Sequence, residues 1–328
     1  PALLPTFMGL CSLSNTEAGW ISSAYYLGYL AGVPLLSAWT DRHDARRIVL
    51  AFTVLGGLSS LLFALAADGV TSAFALRFVG GLGLAGTYMP GLRLVADRAE
   101  GATQSRMVAL YTASFSAGAS LSYLVAGEIA SLGGWRLAFG LSAAGSLAAF
   151  ALVLTFVPSA PVAPASAGSV ISTFDVRPVL RRRATMAYVL GYAAHMWELF
   201  AVRAWIVAFL AWCFSAHPDG DGWSATRIAA IVNLVGMPAS VVGNEWSVRL
   251  GRRRAIASLM LVSALVAVAV GRVSPISPGW AVALAIVYGA LVMSDSSSLT
   301  AGAVATAPPG RRGATLAVHS TVGFAAAF

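Results

Sequence analysis

Apolar stretches of about 20 residues recur along this chain and are separated by short polar turns. As a helix with a rise of about 1.5 Å per residue, each stretch can cross a hydrocarbon core of about 30 Å. The pattern predicts nine complete helices over 18–39, 48–67, 72–95, 107–130, 136–157, 184–213, 228–248, 255–271 and 280–303. Residues 1–10 and 314–328 match the end of an earlier helix and the start of a later one. The sequence therefore predicts a fragment of a polytopic membrane protein, truncated at both ends.

Composition supports the membrane class. The chain is 58% hydrophobic and 10% charged, with a mean hydropathy of +0.78, whereas a soluble domain carries about 25% charged residues. A net charge of +8 would suggest nucleic acid as a partner of a soluble protein, but here the basic residues lie mostly in short loops between spans. We therefore expect the lipid bilayer, and no nucleic acid, among the partners.

The arginines predict how the chain is oriented. All 21 basic residues are arginines, and 16 of them fall on alternate loops. These 16 are Arg42, Arg46, Arg47, Arg93, Arg98, Arg106, Arg177, Arg181, Arg182, Arg183, Arg249, Arg252, Arg253, Arg254, Arg311 and Arg312. The opposite loops hold Arg136, Arg227 and Arg272, while Arg77 and Arg203 lie inside spans. Because cytoplasmic loops carry the excess of basic residues, we expect the first set to be cytoplasmic and the protein to lie in the plasma membrane, the inner membrane of a bacterium.

A linker divides the chain into two halves. Residues 158–172 are rich in Pro, Ala and Ser and lack an apolar period, and 174–183 form a short basic stretch. The sequence predicts an N-terminal helical bundle over 1–157, a cytoplasmic linker over 158–183 and a C-terminal bundle over 184–328. Two copies of a six-helix unit in the same orientation are the plan of one large class of transporters.

The turn after the 18–39 helix carries a recognisable motif. Ser37 is followed at a spacing of four by Asp41 and Arg42, and then by Arg46 and Arg47. The sequence resembles the signature of the major facilitator superfamily, in which a small residue precedes Asp-Arg and further basic residues.

Two other segments share that resemblance. The turn after the 228–248 helix keeps Gly251, Arg252 and Arg253 but has Val248 in place of the aspartate. Arg77 and Gly81 have the arginine-to-glycine spacing of the family's fourth helix.

The resemblance implies an all-α fold of two six-helix bundles and a secondary transporter that alternates access to a central site. It also implies a gate in which charge-assisted contacts hold one conformation. The gate residues would be Ser37, Asp41, Arg42, Arg46, Arg47, Gly251 and Arg252. The alternative for these residues is ordinary loop charge.

Two further motifs bear on function. Residues 118–127 resemble the family's antiporter motif but lack its central Gly-Pro, which argues against drug export. Gly81, Gly83 and Gly86 match G-x-G-x-x-G, yet a dinucleotide site needs a preceding strand, and these glycines lie in a predicted span. We interpret them as close helix packing. Neither Walker, zinc-protease nor nucleophile-elbow motifs occur, so we expect no enzyme, cofactor or metal.

Ionisable residues within spans are the strongest functional candidates, since a charge near the bilayer centre costs at least about 2.5–3.5 kcal/mol. On the 184–213 helix, Tyr192 and His195 share one face, with Glu198 and Arg203 on its flanks. His195 and Glu198 are three residues apart and can touch. They are either a proton-coupling pair or a structural pair that satisfies itself.

The remaining candidates each have two interpretations. Arg203 either binds a substrate anion or neutralises Glu198 and extends toward the outer surface. Arg77 either faces the substrate or pairs with a structural carboxylate. Asp295 either hydrogen-bonds in a gate or is solvated at headgroup level. Cys11 and Cys213 either form a disulfide or are buried as free thiols, which the apolar surroundings favour.

The sequence predicts a transporter that moves a small polar solute, an organic or inorganic anion, coupled to protons and acting as a monomer. Two arginines within spans favour an anion over a cation. The 184–213 and 280–303 helices loosely resemble the cyanate and nitroimidazole permease branch of the superfamily. A hydrophobic drug and proton antiporter is the alternative transport function. A membrane sensor or scaffold that does not transport is the alternative from another class.

Overall fold

The computed structural model describes residues 2–40, 43–96, 98, 101–159, 176–216, 223–309 and 311–328. Within these ranges it describes only the backbone of residues 37, 38, 96, 101–106, 108–110, 112, 113, 116, 275, 312 and 313. The described part of the chain is helical apart from short turns and contains no strand. The predicted all-α class is therefore confirmed.

The helices follow the apolar stretches of the sequence. In the N-terminal half they are α1 (Leu4–Leu10), α2 (Asn15–Trp39), α3 (Ala45–Ala66) and α4 (Val70–Ala96), followed by a helical run over Gly101–Phe156. In the C-terminal half they are α7 (Arg177–Arg181), α8 (Arg183–Ser215), α9 (Ala225–Leu250), α10 (Arg252–Val273), α11 (Pro278–Ser294), α12 (Ser296–Thr306) and α13 (Arg312–Ala327), with a 3-10 turn at Ser274–Ile276.

The Gly101–Phe156 run is two helices. Gly133 (φ −144°, ψ 16°) and Gly134 (φ 79°, ψ 172°) leave the helical region, so α5 covers 101–132 and α6 covers 135–156. The positive φ of Gly134 is open to glycine and disfavoured for other residues. The turn between the predicted 107–130 and 136–157 helices thus lies at two adjacent glycines.

Local signals in the sequence explain several helix starts. Ser14 and Glu17 form a capping box before α2, in which the Ser14 N–H donates to the Glu17 carboxylate (2.8 Å) and the Glu17 N–H donates to the Ser14 hydroxyl (3.2 Å). Asp44 caps α3 by accepting from the Arg46 N–H at 2.9 Å. Ser277 caps α11 in the same way.

The main correction to the predicted helices concerns 280–303, which we expected to be one helix. It is interrupted at Asp295, where the backbone is at φ −94°, ψ −14° and the Asp295 N–H bonds to the Met293 carbonyl. The segment Ser294-Asp-Ser-Ser-Ser298 explains the interruption, because Ser and Asp side chains compete with the helical backbone for hydrogen bonds.

Seven helical segments of the described chain are long and apolar enough to cross a membrane. Ala117–Phe156 counts once although it contains α6 and part of α5, and Pro278–Thr306 contains both α11 and α12. We expected α2 to be a span, but it is not among the seven. Its tyrosines, its glycines and Pro34 dilute its apolar character. The chain is a multi-pass integral membrane protein.

The chain forms two compact units. Unit 1 comprises residues 1–2, 119–124 and 167–327, and unit 2 comprises residues 3–118, 125–166 and 328. The predicted division at a linker over 158–183 stays a prediction, because residues 160–175 lie outside the described part of the chain.

Each unit has its own core. In unit 1, Leu210 and Cys213 of α8 pack with Ile228 and Val232 of α9 and Ala285 of α11. In unit 2, rings from three helices form an aromatic cluster of Phe7, Phe63, Trp135 and Phe139. Both cysteines are free thiols, Cys213 buried and Cys11 half-buried.

Unit 2 also explains the glycine motif of α4. A Cβ at Gly81 would overlap the Tyr25 carbonyl oxygen of α2, and a Cβ at Gly86 would overlap the Phe52 ring of α3. The glycines lie inside α4 and allow α2 and α3 to approach its backbone. Close packing, as the sequence predicts, is the role that the structure gives them.

Candidate substrate and proton site

The central part of α8 carries three ionisable residues. Counting from the helix start at Arg183 to its end at Ser215, His195, Glu198 and Arg203 all lie in the middle third. Apolar residues dominate the rest of the helix, and Val189, Phe200 and Leu210 are buried on it. Ionisable groups at this depth are costly and are generally kept for function.

His195 meets an acid from another helix. Its Nδ1 lies 2.8 Å from Oδ1 of Asp295, with 1% and 6% of the two side chains exposed. The approach is an ion-pair contact without the alignment of a hydrogen bond, and neither His195 nitrogen has a hydrogen-bond partner in the described part of the chain. The expected contact between His195 and Glu198 is thus replaced by one between His195 and Asp295.

A second histidine joins this contact. The ring of His319 on α13 stacks on Tyr192 with centroids 3.8 Å apart, and Tyr192 in turn stacks on His195 at 5.7 Å. His319 Nε2 lies 3.3 Å from the Thr300 hydroxyl of α12. Only 2% of His319 is exposed. We call Tyr192, His195, Asp295 and His319 the two-histidine cluster.

Glu198 has a different environment. Its Oε1 accepts a hydrogen bond from the Ser263 hydroxyl of α10 at 2.8 Å, and Tyr288 of α11 is a second hydrogen-bonding neighbour. Because two hydroxyl groups stabilise the carboxylate, Glu198 has the partners expected of a structural side chain.

Arg203 is a buried cation. Its exposed fraction is 9%, its Nε donates to Oδ1 of Asn233 at 3.2 Å, and its guanidinium carbon lies 5.5 Å from the centroid of the Phe200 ring. Asn233 in turn donates from Nδ2 to the Ala229 carbonyl at 2.9 Å, which turns its amide oxygen toward Arg203. No acidic side chain within the described ranges pairs with Arg203.

Arg77 lies in unit 2. Its guanidinium carbon is 4.3 Å from the centroid of the Tyr25 ring of α2, a cation–π contact. Among the residues that the structure describes, no carboxylate forms an ion pair with it. The expected alternative of a structural carboxylate partner is therefore absent from that part of the chain.

The structure describes only part of the predicted gate. Asp41 and Arg42 lie outside the described residues, and Ser37 is described by its backbone alone, near the end of α2. Arg46 donates to the Leu154 carbonyl of α6 at 2.7 Å, and Arg47 is exposed.

The second copy of the motif lies in unit 1. There Gly251, at φ 86°, joins α9 to α10 in a conformation that favours glycine. Arg252 begins α10 directly after it. The role of all these residues in a gate stays a prediction.

Three residues near the site were missed at the level of sequence. His319 is one of only four histidines and lies in an apolar segment, a signal that could have drawn attention to it. Asn233 and Ser263 are polar residues inside apolar helices, but this property is common and indicates no partner.

The apolar helices define a multi-pass membrane protein, and His195, Asp295 and Arg203 are ionisable residues buried within its spans. Such residues commonly mark substrate or ion pathways. The family model of the Major Facilitator Superfamily matches residues 1–328. The chain belongs to this superfamily. Its relatives are transporters, so the chain is a member of a transporter family and not an enzyme.

Three relatives illustrate the range of the similarity. The uncharacterized transporter YgaY of Escherichia coli O157:H7 is 30% identical over 194 residues, covering 56% of this chain and 48% of the relative. The 3-(3-hydroxy-phenyl)propionate transporter of E. coli K12 is 28% identical over 192 residues, covering 58% and 46%. Multidrug resistance protein 2 of Bacillus subtilis is 23% identical over 270 residues, covering 81% and 66%. The chain thus spans less than two thirds of the length of these relatives.

The fold also matches solved transporters. A bacterial homologue of the human lysosomal transporter Spinster, in an inward-facing and unoccupied conformation, has a TM-score of 0.79 at 16% identity, covering 100% of this chain and 76% of that one. At this identity the similarity shows the fold alone. The cyanate and nitroimidazole permease branch stays a prediction.

Proposed function

We propose that this protein is a secondary active transporter that moves a small anion across the membrane by alternating access, coupled to protons. We place it in the plasma membrane, with the arginine-rich loops in the cytoplasm and with the monomer as the transporting unit. The single observation that supports an anion most directly is the buried guanidinium of Arg203, which pairs with no acid in the described part of the chain.

The argument from Arg203 is electrostatic. A guanidinium keeps its charge in proteins, and an uncompensated buried charge costs several kcal/mol. Among the described residues, the Arg203 side chain donates one hydrogen bond, from Nε to Asn233, which leaves its terminal N–H groups for another acceptor. Their planar fork suits a carboxylate or a similar oxyanion, bound through two parallel hydrogen bonds. A transported anion would supply the missing charge.

Asn233 gives this candidate anion site its orientation. Its Nδ2 is held by the Ala229 carbonyl one helical turn away, so its oxygen fixes the Nε edge of Arg203. One relative, the 3-(3-hydroxy-phenyl)propionate transporter of E. coli K12, is named for an organic anion. Together these points favour an organic acid among the anions.

Drug efflux is the second candidate, because a relative that aligns with 81% of this chain is named Multidrug resistance protein 2. The absence of Gly-Pro from 118–127 and the buried arginine favour the anion. The two functions differ in the charge of the solute and in the direction of transport relative to the proton gradient.

The test is flux in proteoliposomes with and without an imposed pH gradient. The probes are 3-(3-hydroxyphenyl)propionate, nitrate and the cationic dye ethidium. We expect gradient-driven accumulation of an anion and no extrusion of the dye. Extrusion of ethidium alone would establish the efflux alternative, and the absence of all flux would favour a sensor or scaffold.

A pair of arginine variants links the flux to the site. Arg203→Lys retains the charge but loses the fork, so the half-saturation concentration for the anion should rise about 10-fold or more, from a lost charge-assisted bond of about 1.5–3 kcal/mol. Arg272→Lys, at the exposed end of α10, is the matched control and should leave it unchanged. Equal affinities in both variants would remove Arg203 from the substrate site.

A further inference from the structure

Several buried polar atoms of the two-histidine cluster lack a hydrogen-bond partner in the described part of the chain. They are both ring nitrogens of His195, Nδ1 of His319 and Oδ1 of Asp295. A buried polar atom without a partner costs about 1–3 kcal/mol. Groups left in this state in native proteins generally have a function that depends on it. The contact of 2.8 Å between His195 and Asp295 indicates what that function is.

The charge balance of the cluster requires one proton. An ionised Asp295 beside a neutral His195 would leave a net negative charge in the membrane interior, which is costly. One proton on the Asp295 carboxyl, beside a neutral His195, makes the pair neutral overall. A second proton would again leave a net charge. The neutral form of this cluster therefore holds a single proton, located where Asp295 and His195 approach to 2.8 Å.

The position of Asp295 is set by a break in the helix. The interruption between α11 and α12 lies inside the apolar segment Pro278–Thr306, and irregular backbone at membrane depth is tolerated where it is buried in protein or lines a cavity. Gly243 of α9 packs directly on the Ser294 carbonyl, where a Cβ would overlap. The Ser298 hydroxyl donates to Ser247 at 2.7 Å on the other side of the break. These contacts hold Asp295 against His195.

Transport proteins use such breaks for coupling ions. Discontinuous transmembrane helices commonly form the ion sites of secondary transporters. Here the break presents the carboxylate of Asp295 to the imidazole of His195, and both are groups that can accept and donate a proton. Glu198, by contrast, is three residues from His195 but is hydrogen-bonded to Ser263.

We propose that Asp295, His195 and His319 form one proton-binding site at the interruption between α11 and α12, and that this site, not Glu198, takes up and releases the coupling proton. The proposal rests on the proton-coupled transport proposed above. In uptake, one proton from water adds to the pair of Asp295 and His195. In release, the same proton returns to water and the pair regains its negative charge.

His319 belongs to the site through Tyr192. The three rings of His319, Tyr192 and His195 are stacked within 19° and 23° of parallel, so a charge on one imidazole acts on the other. Thr300 contacts Nε2 of His319, and Nδ1 has no hydrogen-bond partner among the described residues. We infer that His319 sets the pH at which the pair of Asp295 and His195 is protonated, and we regard it as a positioning residue.

Other polar and charged groups lie on the neighbouring helices. They include Tyr188, Glu198 and Arg203 of α8, Asn233, Asn244, Ser247 and the mutually paired Glu245 and Arg249 of α9, Arg252, Arg253, Arg254 and Ser263 of α10, Tyr288 of α11, Thr300 of α12, Arg177 and Arg181 of α7, and Arg311 before α13. Glu198 is the one other acid within a helical turn of His195, so it is the natural control.

The first test detects protonation without any substrate. Infrared difference spectra between alkaline and acid pH, recorded on the protein in lipid, should show the C=O band of a protonated carboxyl. We expect the band in the wild type and in Glu198→Gln, and its loss in Asp295→Asn. A band that survives in Asp295→Asn, or one that disappears in Glu198→Gln, would overturn the assignment. If Asp295→Asn does not fold, Asp295→Glu serves instead, and an unchanged band in that variant would equally overturn it.

Transport separates this proposal from the proposed function. Asp295→Asn should lose accumulation driven by a pH gradient and retain counterflow, whereas Glu198→Gln should retain both. A pH-dependent Asp295 band in a wild type that transports nothing would leave the proton site standing and refute the transport function. Wild-type accumulation in Asp295→Asn would refute the coupling role alone.

The last test concerns His319. His319→Gln should move the pH midpoint of the Asp295 band by about 0.5 pH unit or more, because a titratable neighbour is removed. His43→Gln, at an exposed histidine of unit 2, is the matched control and should leave the midpoint unchanged. Identical midpoints in the wild type and in His319→Gln would exclude His319 from the site.

Discussion

The ionisable side chains inside the α8 and α11–α12 segments differ by whether they have a partner. His195 and Asp295 compensate one another, Glu198 is held by hydroxyl groups, and Arg203 has an amide but no acid within the described chain. In a low-dielectric interior, a charge without a counter-charge is the most costly of these. At the scale of residues, Arg203 is therefore the clearest candidate for a substrate-binding residue.

Arg77 offers a residue-scale prediction in unit 2. If its fork binds the anion, Arg77→Lys should raise the half-saturation concentration about 10-fold, corresponding to about 1.4 kcal/mol. Tyr25→Leu, which removes the ring beneath the guanidinium but not the fork, should have a smaller effect on affinity. Its loss of stability should be about 0.5–2 kcal/mol, the size of a cation–π contact. Wild-type affinity in Arg77→Lys, with a lowered melting temperature, would leave Arg77 a structural role only.

At the scale of elements, small residues determine how the helices meet. α4 is in contact with both α2 and α3 because its glycines offer no side chain at the crossings. The interruption between α11 and α12 exists because serines and an aspartate replace good helix formers. The glycines of α4 bring Tyr25 of α2 close to the α4 backbone, and the interruption between α11 and α12 brings Asp295 to His195.

Two glycine variants test the packing role. Gly81→Ala should destabilise the protein by about 1–3 kcal/mol, because the new methyl group meets the Tyr25 carbonyl and the helices must separate. Gly145→Ala in α6, where a Cβ meets nothing within 4 Å, should be neutral or stabilise by up to about 1 kcal/mol through helix propensity. Thermal unfolding in detergent measures both. Equal effects of the two variants would contradict the packing argument.

At the scale of the whole molecule, transport by alternating access needs at least two conformations of comparable free energy. The motif from Ser37 to Arg47 resembles the device by which this superfamily stabilises one of them. The structure adds that Arg46 is anchored to the Leu154 carbonyl within unit 2. Asp41 and Arg42 lie outside the described residues, so their contacts are to be tested with variants.

Asp41→Asn is the corresponding variant. It preserves the shape of the side chain and removes its charge, so a contact of about 1.5–3 kcal/mol should be lost in one conformation. We expect a reduced transport rate with near-normal insertion and folding. Asp68→Asn, at an exposed aspartate that accepts from the Ser72 hydroxyl, is the control and should transport normally. Unchanged transport kinetics in Asp41→Asn would remove it from the gate.

The sequence by itself determined the membrane class, the approximate positions of most helices and the family. Apolar runs of sufficient length have no other stable fold in a bilayer, since every backbone group must find its hydrogen bond within a helix. In the structure, the Ser14 cap and Gly134 mark helix ends that lie within a few residues of those that the apolar stretches predict. The sequence also identified His195, Glu198, Arg203 and Asp295 as functional candidates, because they are ionisable residues within apolar helices.

Only the tertiary structure decided which of these residues meet. His195 and Glu198 are close in sequence, yet the acid that reaches His195 lies 100 residues away, at a break that the apolar period concealed. The structure likewise identified His319 and Asn233 as partners of Tyr192 and Arg203. Contacts between helices depend on where the helices cross and how each is rotated, which a periodic sequence pattern does not determine. Sequence period fixes the face of one helix. Packing between helices decides which faces come together.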